Sequence, residues 1–450
     1  MTVDVAIDRP RAVTPFESEF RTLYDAAGTI APPPVRSIRV AAFDAFRRLG
    51  FPTTKNEDWH FTSVAPIVEH DYLHILTPSG DVRPEQLEPF QFGGDDWHTL
   101  VFVNGRYAPE LSNVGELPDG VKVLDLRRAW REAPQLVDQL GQITRYDDRA
   151  FTALNTAFMN DGAVVHIDRD VEVEKPIHLL FVADAVAAKS MMHPRNLIVV
   201  GRNAQVTIVE TYVGRGKYFT NAVTELVAKE GAVVDHAKLV CESLDAFHVG
   251  TLQIHEERAA AVTSRVITIG GALVRNEINV ALAGEGANIT LDGLFTLTGR
   301  QHADNHTVID HLYPHCDSLE VYKGILDQSA RGIFDGRIIV RPDAQKTNSR
   351  QTNHNLLLSE TAIVDSKPTL EIHNDDVKCN HGSTIGQLDE EAMFYLRSRG
   401  IGEAEARGLL IYAFASEIVD RMKAEPVREL VRREMFRSMP ERLPERREAR

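Results

Sequence analysis

Cysteine is scarce: only Cys241, Cys316 and Cys379 occur in a chain of 450 residues. An odd number spread so widely describes no disulfide framework, and a reducing compartment is expected. Basic residues are outnumbered, 50 Lys and Arg against 65 Asp and Glu, which gives a formal net charge of −15. That balance argues against general nucleic-acid or anionic-membrane binding, since both need a basic surface. No apolar run approaches the ~20 residues of a membrane-spanning helix. The opening stretch MTVDVAIDRPRAVTPFESEF has neither the basic n-region nor the apolar h-region of a secretory signal. A cytoplasmic protein with proteins or cations as partners is therefore expected. Familiar catalytic signatures are missing too. GRGKY at 214–218 lacks the first glycine and the final hydroxyl of a phosphate loop, and no GxSxG elbow, HExxH pair or CxxC pair occurs. No nucleotide is expected on this chain.

What is present divides the chain in three, as its length suggests. Residues 1–150 read as an N-terminal helical domain with short strands. VRSIRVAAFDAFRRLG has apolar residues at helical spacing and stops at Gly50 before Pro52. In PTTKNEDWHFTSV, Trp59 and Phe61 are expected to anchor the helices, leaving Lys55, Glu57 and Asp58 wet. HTLVFVNG and VKVLDL read as strands, so the sheet begins before the helical segment AFTALNTAFMNDG ends.

Residues 151–387 are short β-branched runs separated by Gly, Asn and Asp turns. A pattern x-Ala-x-(Val/Ile) starts at Asn203, Gly231, Ala259 and Gly286, in steps of 28, 28 and 27 residues. DAQK at Asp343, 57 residues further on, reads as two more steps. A fixed period in strand-rich sequence predicts a parallel β-helix, with a β-sandwich as the competing architecture. Residues 388–450 turn helical again. EAEARGLLIYAFASEIVDRMK carries apolar residues, Leu410 and Phe414 among them, over more than one stripe, so this helix needs partners on two sides. One side is expected to cap the β-helix end; the other is either a protein interface or the inside of a three-helix cap. The charged tail SMPERLPERREAR is expected to be disordered.

Two clusters invite a metal. His302, His306, His311 and His315, followed by Cys316, are closely spaced, but residues four apart on one strand are ~13 Å apart, too far to share an ion. Hydrogen-bonded or solvent-facing histidines are the simpler account. In KCNHGSTIG, an extended backbone places Cys379 and His381 on one face, a thiol and an imidazole beside a change of architecture. Packing at the end of the β-helix is the alternative role for both. Asp304, Asp310, Asp317 and Glu320 are the carboxylates that a carbohydrate-active β-helix lyase or hydrolase would use.

The stretches KNEDWHFTS, FTALNTAFMNDGAVVHI, NHTVIDHLYPHCDS and YKGILDQSARGIFDGRIIV resemble the SufB and SufD family of iron–sulfur cluster assembly proteins. So does the long run from AQKTNSRQTNHN through KCNHGSTIG to FYLRSRGI. The resemblance covers most of the chain. The KCxHG form followed by FYLRSRGI is similar to the SufD branch, since the SufB branch typically has a glutamate where this chain has Gly382. The resemblance implies a right-handed parallel β-helix flanked by N-terminal and C-terminal helical domains, acting as a non-enzymatic scaffold. It implies edge-to-edge pairing with a SufB-like chain, or a homodimer in isolation, and docking of the SufC ATPase on the C-terminal helices. Tyr395, Leu396, Arg399, Leu410 and Phe414 are the residues expected to meet that partner. His381 is implied as a ligand of iron or of a nascent iron–sulfur cluster held transiently at the SufB interface, with Cys379 as its same-face neighbour.

Overall fold

The computed structural model describes residues 14–27, 31–70, 72–74 and 81–438. At its centre is a parallel β-solenoid, in which strands coil around a shared interior instead of returning as hairpins. Each later coil contributes two strands. One ladder runs through Val233–Cys241, Ala261–Thr268, Asn288–Leu297, Asp317–Leu326, Asn348–Leu357 and Lys378–Gly386. The other runs through Phe247–Glu256, Leu273–Leu282, His302–His311, Arg331–Val340 and Ile363–Ile372. All these pairs are parallel and keep one register. Because side chains alternate along a strand, equivalent residues stack coil upon coil. Val206, Val234, Val262 and Ile289 form one such aliphatic column in the central core.

The sequence repeat is a turn. Asn203, Gly231, Ala259 and Gly286 have φ of 56°, 68°, 55° and 72°. Each donates its N–H to the carbonyl one coil on, of Glu230, Arg258, Glu285 and Pro314 respectively. The alanine that follows each is fully buried. The repeat then continues at His315–Cys316 and Lys346–Thr347, with φ of 59° and 61°. The expected step at DAQK is therefore three residues early: Ala344 is buried but precedes the turn. Cysteine and threonine replace the alanine in these coils, which hid the pattern.

Helices Thr14–Ala27, Pro33–Leu49 and Ala150–Phe158 share an aromatic core built from Phe16, Phe20, Phe43, Phe46, Phe51 and Phe158. As HTLVFVNG and VKVLDL predict, the sheet starts inside this region. His98–Val103 pairs in parallel with Ile177–Val182, and Val121–Asp125 runs antiparallel to Ala163–Ile167.

Three helices follow the solenoid: Glu390–Ser398, Glu403–Val419 and Glu425–Ser438. Three helices are what the three-helix alternative requires, and residues 439–450, most of the expected disordered tail, lie outside the described residues. The helix expected to cap the solenoid does not do so. Ile411, Ala415, Ile418 and Val419 pack on its flank, against Leu294, Val321, Ile325 and Leu356. Those outward residues offer an apolar wall on which the helix buries its own apolar face. Among the described residues no helix is long and apolar enough to cross a membrane.

Candidate functional site at the open end of the solenoid

With its end uncapped, the solenoid stops at two strands that have no outer partner among the described residues, Ile363–Ile372 and Lys378–Gly386. Their edges differ. In the first, Ile363 N–H bonds inward to Ala330 O at 3.0 Å, so even-numbered residues face outward, and Pro368 stands among them without an N–H to offer. In the second, Lys378 N–H bonds inward to Thr347 O at 2.8 Å. The N–H and C=O groups of Cys379, His381, Ser383 and Ile385 therefore face outward, with no proline to guard them.

The same four residues stack on the interior columns, over Ser349, Gln351, Asn353 and Asn355. Cys379 is half-buried against the central core, and that burial pushes its thiol pKa up. His381 is exposed. The two lie on one face, as their spacing predicts. The interior beneath them is polar. Ser383 Oγ donates to Ser366 Oγ at 2.8 Å, which donates to Asn353 Oδ1 at 2.8 Å. Gln351 Nε2 donates to Glu320 Oε2 at 2.6 Å, and burial raises the Glu320 pKa to about 7.

The histidine cluster does not assemble. His302 Nε2 lies 2.9 Å from Thr62 Oγ1, and His306 Nε2 lies 3.0 Å from Asp304 Oδ1, both on the outer face. His311 points inward to Ser318 Oγ at 3.0 Å, and burial lowers its pKa to about 4. His315 forms the turn, and Cys316 fills the alanine position, its Sγ 3.3 Å from Gly284 O. No group of three or more metal-ligating side chains occurs among the described residues. The carboxylates are engaged one by one: Asp304 with Arg275, Asp310 with Arg341, Asp317 with Asn348, and Glu320 inside.

Of the residues expected on a partner surface, Tyr395 is 57% exposed and Arg399 lies over its ring at 5.2 Å. Leu396 and Leu410 are half-buried, while Phe414 faces the solenoid under the Lys323 ammonium at 4.5 Å. The sequence reading missed Phe394, which is 75% exposed on a helix with no buried residue. It also missed the interior polar pairs, such as Glu210 with His236 at 3.1 Å. A polar residue at an inward position of VTIVETYV is the signal that marks Glu210.

Two family models match the chain. The SUF system FeS cluster assembly SufBD core domain covers residues 181–414, and the SufBD protein N-terminal region covers 16–179. The chain belongs to the SufBD family. Among its relatives, an iron–sulfur cluster assembly SufBD family protein of Synechocystis is 37% identical over 85% of this chain and 86% of its own length. The iron–sulfur cluster assembly protein SufD of Escherichia coli is 29% identical over 94% of this chain and 96% of its own. SufD of Bacillus subtilis is 28% identical over 88% and 91%. In this SufBD protein the core match takes in all of the later coils, and therefore the open end with Cys379 and His381.

Proposed function

We propose that this SufBD protein is a non-enzymatic scaffold subunit of the cytoplasmic SUF machinery, the SufD-type partner of a SufB-like chain. It pairs with that chain through its open end and with the SufC ATPase through its C-terminal helices. The cargo is a nascent iron–sulfur cluster held at the junction and passed on.

One observation carries the reading: the unguarded edge Lys378–Gly386 is also the strand that bears Cys379 and His381. An exposed edge adds a strand from another chain readily, through main-chain hydrogen bonds. Two donors are too few to hold a cluster, so the remaining ligands come from the chain that pairs there. A neutral imidazole is a more labile iron ligand than a thiolate, which suits a site that must release its product. Phe394 and Tyr395, both exposed on the Glu390–Ser398 helix, present the apolar anchors that a docking ATPase needs. ATP chemistry belongs to that partner.

Co-expression with SufB and SufC tests this reading. Ser383→Pro removes an outward N–H from the edge and leaves the inner ladder in place. The parent chain is expected to co-purify with both partners, and Ser383→Pro with SufC alone. Retention of SufB by a folded Ser383→Pro variant would contradict pairing through this edge.

A further inference from the structure

In the last coils Leu291, Glu320, Gln351 and His381 occupy one inward-facing column, each in register with the next. Neighbouring strands lie ~4.8 Å apart. The column changes from hydrocarbon to polar as it nears the open end. Gln351 is fully buried, and its Nε2 donates to Glu320 Oε2 at 2.6 Å. Once ionised, above about pH 7, the Glu320 carboxylate can only accept, which fixes the amide's orientation and leaves Oε1 as the spare acceptor. Gln351 Oε1 is buried and accepts no bond. His381 is the residue stacked on it, and a neutral imidazole has one ring N–H to give.

We infer that Gln351, held by Glu320, is the positioning residue for His381. Its Oε1 receives one ring N–H when the imidazole swings over the mouth of the solenoid. The proton is then fixed on the inner nitrogen, and the outer nitrogen is left with a lone pair directed at the cargo. Ligand histidines are commonly oriented in this way, by an acceptor behind the ring that sets the tautomer. The inference rests on the proposed role of His381 as a ligand, but its first consequence is visible without any iron.

The test uses the full-length chain with ¹⁵N-labelled histidine, and His381→Asn to identify the His381 ring signals. In the parent, His381 is expected to hold mainly one neutral tautomer. Gln351→Met keeps the bulk of the side chain but removes the acceptor, so the two tautomers are expected to mix. Ferrous iron should then bind ~10- to 100-fold more weakly. The exchange Glu320→Gln with Gln351→Glu keeps one donor facing one acceptor and a spare oxygen under His381, and should restore the bias. The same tautomer mixture in the parent and in Gln351→Met would overturn the inference, as would a bias lost in Gln351→Met and not restored by the exchange. If the bias depends on Gln351 but His381→Ala leaves iron binding unchanged, the positioning stands and the ligand role fails.

Discussion

The guanidinium of Arg275 lies 3.8 Å from the centre of the Trp59 ring, joining the NEDW segment to the outer face of the solenoid. Arg275 is itself held, by Asp304 at 2.5 Å and Glu277 at 3.0 Å, and Thr62 Oγ1 donates to the same Asp304 carboxylate. This contact between a cation and a ring face is desolvated, where such interactions are strongest. Further along, Glu57 reaches Lys367 on the terminal strand at 3.4 Å. The N-terminal segment thus buttresses the end that the proposed partner meets.

Trp59→Ala is expected to destabilise the protein by about 3–5 kcal/mol, because it opens a cavity and strips the cover from a buried ion pair. Urea unfolding measures this. A loss below about 1 kcal/mol would show that the segment is not clamped.

Gly231 and Gly286 occupy the same turn two coils apart, on either side of Ala259, but a Cβ has different surroundings at each. At Gly231 it would meet Asn203 Oδ1 at 2.5 Å, and at Gly286 it meets nothing within 4 Å. Gly286→Ala should cost only the left-handed backbone strain, about 1–2 kcal/mol. Gly231→Ala should cost more, since Asn203 must also move. Thermal melts of the two variants rank them, and equal costs would mean that the coil relaxes freely there.

Much of this architecture was legible. Trp59 is buried as its aromatic character predicts, and four turns of the solenoid show directly in the x-Ala-x-(Val/Ile) spacing. The later coils were hidden because His315–Cys316 and Lys346–Thr347 solve the same backbone problem with different residues. Asn and His tolerate a left-handed conformation, and Cys fills a small cavity much as Ala does. The chemistry of KCNHGSTIG was visible in its spacing, but its exposure was not. Whether a strand edge is covered depends on where distant helices pack, and that was decided by outward residues such as Leu294 and Val321.

His193 is buried among Phe158, Phe219 and His74 with neither ring nitrogen bonded, and burial lowers its pKa to about 3. The unfolded chain takes up this proton near pH 6.5 and the folded chain does not. The folded state is therefore destabilised as pH falls from about 6.5 towards 3, by up to ~1.4 kcal/mol per unit. His193→Leu should flatten part of that acid limb. If the stability difference between variant and parent is constant from pH 7 to 5, this histidine is not the source.

Without its partner, the same open edge is available to a second copy of the chain. The isolated protein is expected to self-associate in sedimentation experiments, and Ser383→Pro to shift it towards monomer. Association unaffected by that substitution would place the contact elsewhere, for instance on Phe394 and Tyr395.

The role proposed for His381, holding cargo at a shared edge, is open to direct test. The most direct measurement is the iron and acid-labile sulfide content of the anaerobically purified complex with SufB and SufC, compared between the parent and His381→Ala. A complex of unchanged composition that has lost most of its cluster is expected. A complex with its full complement of iron and sulfide would return His381 to a structural role.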